Sequence, residues 1–260
     1  MLKNQYFADI NDYRKYGLLR VLSGKGKITT GACWMLTPDD GRTDGSFTDY
    51  LHQPEKWRHF DPPLFDHLRD LVLHQNLRDV RGVETVAILP SCRFAPGLLP
   101  DDAEGRVAYF ETFAGVTEGC DLIFFDPDNG IEVKSKPYDH NGSSKYVYWR
   151  EIEDAFDAGH SLLIYQHFPH VKRGPYTRSK ARELADKTCA SEVYSFRTPR
   201  VLFLLAPQEH HREFFRDRSK EVPEVWGSQI SVARHRGSIR AVLSCLAQYR
   251  LLKSHSQLLS

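Results

Sequence analysis

The 260 residues are 41% hydrophobic and include four Trp, twelve Tyr and fifteen Phe, enough for one large α/β core but not a second. Thirty-five Lys and Arg face thirty-four Asp and Glu, and the formal net charge of +1 excludes an overall polyelectrolyte and argues against disorder. The balance is uneven: the chain from His170 onward sums to +9 and the part before it to −8, so a phosphate-facing surface would belong to the C-terminal third.

In chain order, Tyr13, Tyr16, Leu19 and Leu22 recur at helical intervals and predict a helix over Asp12 to Leu22, capped by Asn11 or Asp12 and ended by Ser23-Gly24-Lys25-Gly26-Lys27. Ala32 to Leu36 has the content of a buried strand, and Thr37-Pro38-Asp39-Asp40-Gly41-Arg42-Thr43-Asp44-Gly45 is a polar loop that cannot continue it. Pro63 to Leu77 predicts a helix opened by proline, and Val83 to Leu89 a strand closed by Pro90. Cys120 to Phe125 is a sharp strand, followed by a predicted helix over Trp149 to Ala158 and the apolar run Ser161 to Tyr165. A helix over Arg178 to Lys187 and strands over Glu192 to Phe196 and Arg200 to Ala206 come next. Ile239, Val242, Leu243, Leu246 and Leu251 predict a last helix over Ser238 to Leu252 that covers the sheet. Continuous apolar strands alternating with amphipathic helices imply a single α/β domain over residues 1–260, with a mostly parallel sheet covered by helices on both faces.

No window approaches eighteen consecutive apolar residues, and Met1-Leu2-Lys3-Asn4-Gln5 leads into no signal-peptide core. The expectation is a soluble, cytoplasmic protein without a membrane partner. Cys33, Cys92, Cys120, Cys189 and Cys245 form no CxxC and no Cys/His pair of zinc-finger spacing. The first four lie in or beside apolar runs and are expected as buried, reduced thiols. Composition does not set the oligomeric state.

The strongest local signal is Asp121-Leu122-Ile123-Phe124-Phe125-Asp126-Pro127-Asp128-Asn129-Gly130, a strand that delivers Asp126 to its terminus and then turns sharply at Pro127 and Asn129-Gly130. A carboxylate there suits an amine, a sugar hydroxyl or a metal; it also suits an Asx turn that satisfies its own backbone. At the end of the next apolar run, His167 is placed to exchange protons near neutral pH and Gln166 to read an amide or base edge. Lys145 and Tyr146 offer phosphate contact and ring stacking, and Lys172, Arg173, Arg178, Lys180 and Arg182 form a basic run suited to nucleic-acid phosphate, with a solvated helix surface as the plainer use.

Three segments, Gln5 to Tyr16 (QYFADINDYRKY), Trp34 to Arg42 (WMLTPDDGR) and Leu122 to Asn129 (LIFFDPDN), stand in the order found in Rossmann-like methyltransferases, and the chain from Gln5 to Pro207 resembles the large-subunit ribosomal RNA adenine-N6 methyltransferase J group. The resemblance implies a single Rossmann-like domain of the class I methyltransferase fold, with a mostly parallel seven-stranded sheet covered by helices, S-adenosylmethionine as cofactor and a base amine as acceptor. It places Lys15 in the segment that frames the cofactor, Asp39 and Gly41 in the cofactor loop with Asp39 or Asp40 toward the cofactor's amino-acid or ribose end, and Asp126 and Pro127 in the turn that receives the amine. Two positions depart from it. Asp128 stands where a second proline is expected, and Asn129 where an aromatic ring would stack on the base, a contact that contributes about 1–3 kcal/mol and that Asn129 cannot supply.

Two other readings follow from the residues. Asp126, Asp128 and Glu132 are hard oxygen donors suited to Mg²⁺, and Glu132-Val133-Lys134 has the Glu-x-Lys spacing of half a nuclease motif. A noncatalytic binding or assembly protein that keeps the sheet and has altered the acceptor motif is the third.

Overall fold

The computed structural model describes residues 4–38 and 47–237. The elements along the chain are α1 (Ile10–Leu22), β1 (Thr30–Cys33), α2 (Pro54–Trp57), α3 (Pro62–Arg69), β2 (Cys92–Phe94), α4 (Ala103–Thr117), β3 (Leu122–Phe125), β4 (Gly130–Ile131), β5 (Tyr146–Val147), α5 (Trp149–Asp157), β6 (Ser161–His167), α6 (Arg173–Thr188), β7 (Glu192–Arg197), β8 (Val201–Ala206), α7 (Arg212–Trp226) and β9 (Ser231–Arg236). Seven strands form the central sheet in the order β2-β1-β3-β6-β8-β7-β9, and β4 pairs with β5 apart from it. β2, β1, β3 and β6 are mutually parallel; β8 is antiparallel to both β6 and β7, and β9 is antiparallel to β7, so five of the seven strands run one way. The sheet is thus mostly parallel, as the apolar runs imply, with a hairpin and an edge strand that they do not.

The sheet separates two apolar layers. Tyr13, Tyr16, Trp34, Phe65, Phe124, Phe203, Phe215 and Trp226 pack on the face covered by α1, α3 and α7. Phe113, Phe125, Ile152, Ile164, Leu184 and Leu204 pack on the face covered by α4, α5 and α6. Among the described residues no helix is long and apolar enough to cross a membrane.

Several boundaries differ from the sequence expectation, each for a local reason. The α1 cap is Asp9, whose carboxylate accepts from the backbone N–H of Asn11 at 2.7 Å and of Asp12 at 2.8 Å, so the helix opens two residues before Asp12. β1 stops at Cys33 because Met35 is left-handed at φ 49°, which no strand continues through. The segment Val83 to Leu89 is not a strand. The Arg20 guanidinium donates to the carbonyls of Ala87 and Ile88, and the N–H groups of Ile88 and Leu89 turn back to Thr85, so the groups that a ladder would use are engaged. The edge strand forms instead at β2, beyond Pro90. The α3 helix stops being α-helical at Arg69 and continues as one π turn over Asp70–His74. The α6 helix begins five residues before Arg178, with Pro175 in its first turn where a missing N–H costs nothing. α4, α7 and β9 have no counterpart among the predicted elements, and the predicted helix over Ser238 to Leu252 lies outside the described residues. Cys33, Cys92 and Cys120 are free thiols as expected, whereas Cys189 is disulfide-bonded.

α1 is the least ordinary element, because nearly its whole circumference is buried, charged residues included. Arg20 pairs with Asp61 at 2.7 Å, and Arg14 donates to Gln229 Oε1 at 2.6 Å. Gly17 is where α7 comes closest: a Cβ there would lie 1.9 Å from Trp226 Cζ2. Gly17→Ala therefore forces the Trp226 ring from its site, and we expect a loss of about 1–3 kcal/mol, read as a lowered urea midpoint by far-UV circular dichroism.

Candidate functional site

β1 is followed in sequence by β2 on one side of it and by β3 on the other, so the order of the sheet reverses between β1 and β3. Ligands of open α/β sheets bind in the crevice outside the carboxyl ends of the strands at such a reversal. Four pieces of chain meet there: Trp34 to Pro38 after β1, Asp126 to Asn129 after β3, His167 at the end of β6, and the β7–β8 hairpin, which brings Val201 opposite His167.

The N-terminal half of α1 supplies the floor. Lys15 Nζ lies 2.7 Å from Asp126 Oδ2 and 2.7 Å from Asp12 Oδ1, with all three residues buried. Asp126 is held by its own N–H, which donates to the Cys33 carbonyl at 3.0 Å, and Asp12 Oδ2 accepts from the Ala8 N–H at 3.0 Å and the Tyr16 hydroxyl at 3.4 Å. The ammonium also lies 5.0 Å from the centre of the Tyr16 ring and 5.8 Å from that of Trp34. Burial pulls the Lys15 pKa down; Asp12 and Asp126 together outweigh it and raise the pKa above the usual lysine range. Burial likewise pushes the Asp126 carboxyl up, against the pull of Lys15.

The turn after β3 is secured by backbone. Asn129 donates its N–H to the Lys145 carbonyl at 2.8 Å and accepts from the His167 N–H at 3.2 Å. Gln166, expected to read a base edge, is committed to this turn: its Oε1 accepts from the Ile131 N–H at 3.0 Å, and its Nε2 donates to the carbonyls of Asn129 at 3.2 Å and His167 at 2.9 Å. Gly130, at φ 115°, leaves room for that amide, which a Cβ would meet at 2.4 Å. Lys145 Nζ is 3.7 Å from Asp128 Oδ2, so Lys145 belongs to the turn. Tyr146 sits in β5 and lines neither of the spaces described next; its carbonyl is held by Arg106, which also grips Glu151 at 2.6 Å and the Ser143 carbonyl at 3.1 Å.

A cavity of about 110 Å³ opens beside Lys15, lined by Tyr6, Asp9, Asn11, Asp12, Phe47, Tyr165, His167, Arg200 and Val201. It continues past His167 and Arg200 into an open cleft of about 640 Å³ walled by Phe168, His170, Val171, Lys172 and Arg173. The cavity carries the carboxylates of Asp9 and Asp12 together with the cations of Lys15 and Arg200, and the cleft is basic. Of the expected residues, Lys15 and His167 reach the cavity, Arg173 reaches the cleft, and Asp126 stands behind Lys15. Lys180 turns away to Glu183 at 2.8 Å. Burial holds the His167 pKa below the usual histidine value. Asp39, Asp40 and Gly41 lie outside the described residues. A separate apolar groove of about 460 Å³ runs between α4 and α5 over Phe113 and Phe125, away from all of these groups.

The Mg²⁺ constellation is not assembled. Among the described residues no three His, Cys, Asp or Glu side chains converge as a metal-ligand set. Asp126 and Asp128 already face Lys15 and Lys145, and Glu132 begins the strand exit toward Trp149, its pKa raised by burial. Sequence reasoning passed over Tyr6, Asp9, Asn11, Asp12, Phe47 and Arg200 as site residues. The Asp-x-x-Lys spacing of Asp12 and Lys15 on one helix face was the available signal.

No family model matches the chain, and no curated protein matches it. Among solved structures, the Legionella pneumophila protein LPL1258, described under the family DUF519, is similar at a TM-score of 0.42 and 11% identity, over 90% of this chain and 98% of that one.

Lys15→Met leaves two buried carboxylates without their cation and should cost about 3–5 kcal/mol in denaturant unfolding. Adding Asp126→Asn should recover part of that loss, and simple additivity of the two changes would show that the pair is not coupled. Asp9 gives a pH signature. Burial, and then repulsion from Asp12, push its carboxyl up to about 6, so its contribution to stability is full below the ordinary value of 3.8 and is lost as pH rises through about 6. Asp9→Asn keeps a capping oxygen and removes the titration, so its stability relative to the parent should rise between pH 4 and pH 7, measured as urea midpoints across that range.

Proposed function

We propose that the protein is an S-adenosylmethionine-dependent methyltransferase whose acceptor is an amino group on a nucleic-acid base or a similar compound. The observation that carries this reading is the buried Asp126–Lys15–Asp12 set at the reversal between β1 and β3, beside a cavity that opens into a basic cleft. The Rossmann-like methyltransferase form of the α/β fold is part of the proposal, supported by the place of the Asp-Pro turn at the end of β3 next to β1.

One feature at the end of β1 fits such a cofactor. Thr37 Oγ1 is buried and has no hydrogen-bond partner among the described residues, which leaves a donor and an acceptor unsatisfied in the segment that follows β1. Thr37, with Asp39, Asp40 and Gly41 after it, would hold the cofactor, which when bound supplies a methyl group on a sulfonium. No protein nucleophile is needed for its transfer. Lys15 and Asp126 keep the floor of the site charged and fixed in place, and Asp9 offers a carboxyl oxygen to an amine at the inner end of the cavity. Lys172, Arg173 and Arg200 favour a phosphate-bearing acceptor at the outer end.

Calorimetric titration with S-adenosylmethionine and with its demethylated product tests the reading. Saturable one-site binding, with a thermal midpoint that rises with ligand concentration, is expected; failure of both ligands to bind would overturn it. For the acceptor side, binding of a short single-stranded RNA should weaken steeply with salt, and Arg173→Ala should lower the slope of log K against log salt by about 1. Binding that ignores salt would point to a small uncharged acceptor.

A further inference from the structure

The groove of about 460 Å³ between α4 and α5 takes no part in the proposed reaction. Its floor is apolar, formed by Phe110, Phe113, Ile123 and Phe125. Its arginines are committed elsewhere: Arg106 grips Glu151, and the Arg150 guanidinium lies 3.5 Å from the centre of the Tyr138 ring. Glu111 on α4 and Asp154 on α5 stand exposed on the facing walls. An apolar trough edged by two exposed carboxylates fits a segment that is both apolar and basic.

The topology and a disulfide bring such a segment to it. α4, α5 and α6 lead directly into β3, β6 and β7, and these three strands run the same way, so the three helices finish at the end of the sheet opposite Asp126. β9 finishes there too, since Arg236 pairs with Glu192 and the Gly237 N–H donates to the Ser191 carbonyl at 2.9 Å. The groove has its lower end on that side, at Thr117 and Ala158. Of the five cysteines, Cys33, Cys92 and Cys120 are free thiols and Cys189 is disulfide-bonded, which leaves Cys245 as its partner. Cys189 follows α6, which packs against α5, and Lys187 in the last turn of α6 pairs with Glu153 of α5 at 3.0 Å. Only α5 then stands between Cys245 and the groove. Packed helices lie about 8–10 Å apart, a step that the eight residues after Cys245 cover as about 12 Å of helix.

Those residues include Tyr249, Leu251, Leu252, Arg250 and Lys253, and residues 238–260 contain no Asp or Glu. Tethered at Gly237 and at Cys245, they meet the groove at an effective concentration of about millimolar, which a second copy of the chain at about micromolar concentration does not match. We propose that the groove between α4 and α5 is the seat of the chain's own C-terminal segment, led past α5 by a Cys189–Cys245 disulfide, with Tyr249 and Leu252 on the apolar floor and Lys253 within reach of Asp154 or Glu111. The groove is thus filled from within the chain, whatever the reaction at the other end of the sheet.

The test is zero-length carbodiimide coupling of the full chain, carried out on an equal mixture of unlabelled and ¹⁵N-labelled protein, followed by non-reducing digestion and mass spectrometry. An amide between Lys253 and Asp154 or Glu111 of the same chain is expected, together with a disulfide-linked peptide pair that contains Cys189 and Cys245. Ala114→Arg sets a cation on the exposed rim of the groove and should lower the yield of that amide by about ten-fold, with an unchanged far-UV circular dichroism spectrum. Coupling between labelled and unlabelled chains would assign the groove to a second copy and overturn the proposal. It is equally overturned if Lys253 couples only to other carboxylates or to none, if Ala114→Arg leaves the yield unchanged, or if Cys189 is bonded to a cysteine other than Cys245.

Discussion

Lys15 sits between two carboxylates from distant parts of the chain, and that contact sets how helix α1 lies on the sheet. Three charged groups are taken out of water in one place, which is favourable only when each keeps its partners at short range. The 2.7 Å contacts to Asp12 and Asp126 meet that condition and at the same time tie α1 to the end of β3. With α1 so anchored, Arg20 reaches Asp61 and the 87–88 carbonyls, Arg14 reaches Gln229, and Gly17 admits Trp226 of α7. A helix buried on nearly all sides has little choice of rotation, because turning it would strand a charge in the core.

The same anchoring shapes the site. The carboxylates of the cavity come from the acidic first part of the chain, and the cations of the cleft come from the basic C-terminal third. The charge asymmetry of the sequence thus meets at one corner of the sheet, where Asp9 and Asp12 line the cavity with Lys15 and Arg200 and the cleft adds Lys172 and Arg173.

The run Leu122 to Phe125 and the turn from Asp126 were legible because an apolar strand ending at Asp-Pro is a local pattern, and so were β6, β7, β8 and α5, each with its own periodicity. Val83 to Leu89 looked like a strand by the same criterion and is not one, since Arg20, far away in sequence, engages its carbonyls. Gln166 looked like a reader of ligands because its amide closes the turn at Gly130 only after β4 is laid beside β6. Phe47 and Arg200 carry no pattern at all; 153 positions apart, they meet because a hairpin and the start of α1 end at one corner of the sheet.

By itself, the sequence determined the α/β class, five of the seven strands of the central sheet and the acidic turn after β3, because burial periodicity and turn chemistry act over a few neighbouring residues. Only the tertiary structure decided that Asp126 is paired with Lys15, that two strands run against the rest, and that Tyr6, Asn11, Phe47 and Arg200 share a cavity. Those outcomes depend on contacts between residues far apart in the chain, and the cost of burying charges and polar groups selects among the arrangements that local propensity leaves equally open.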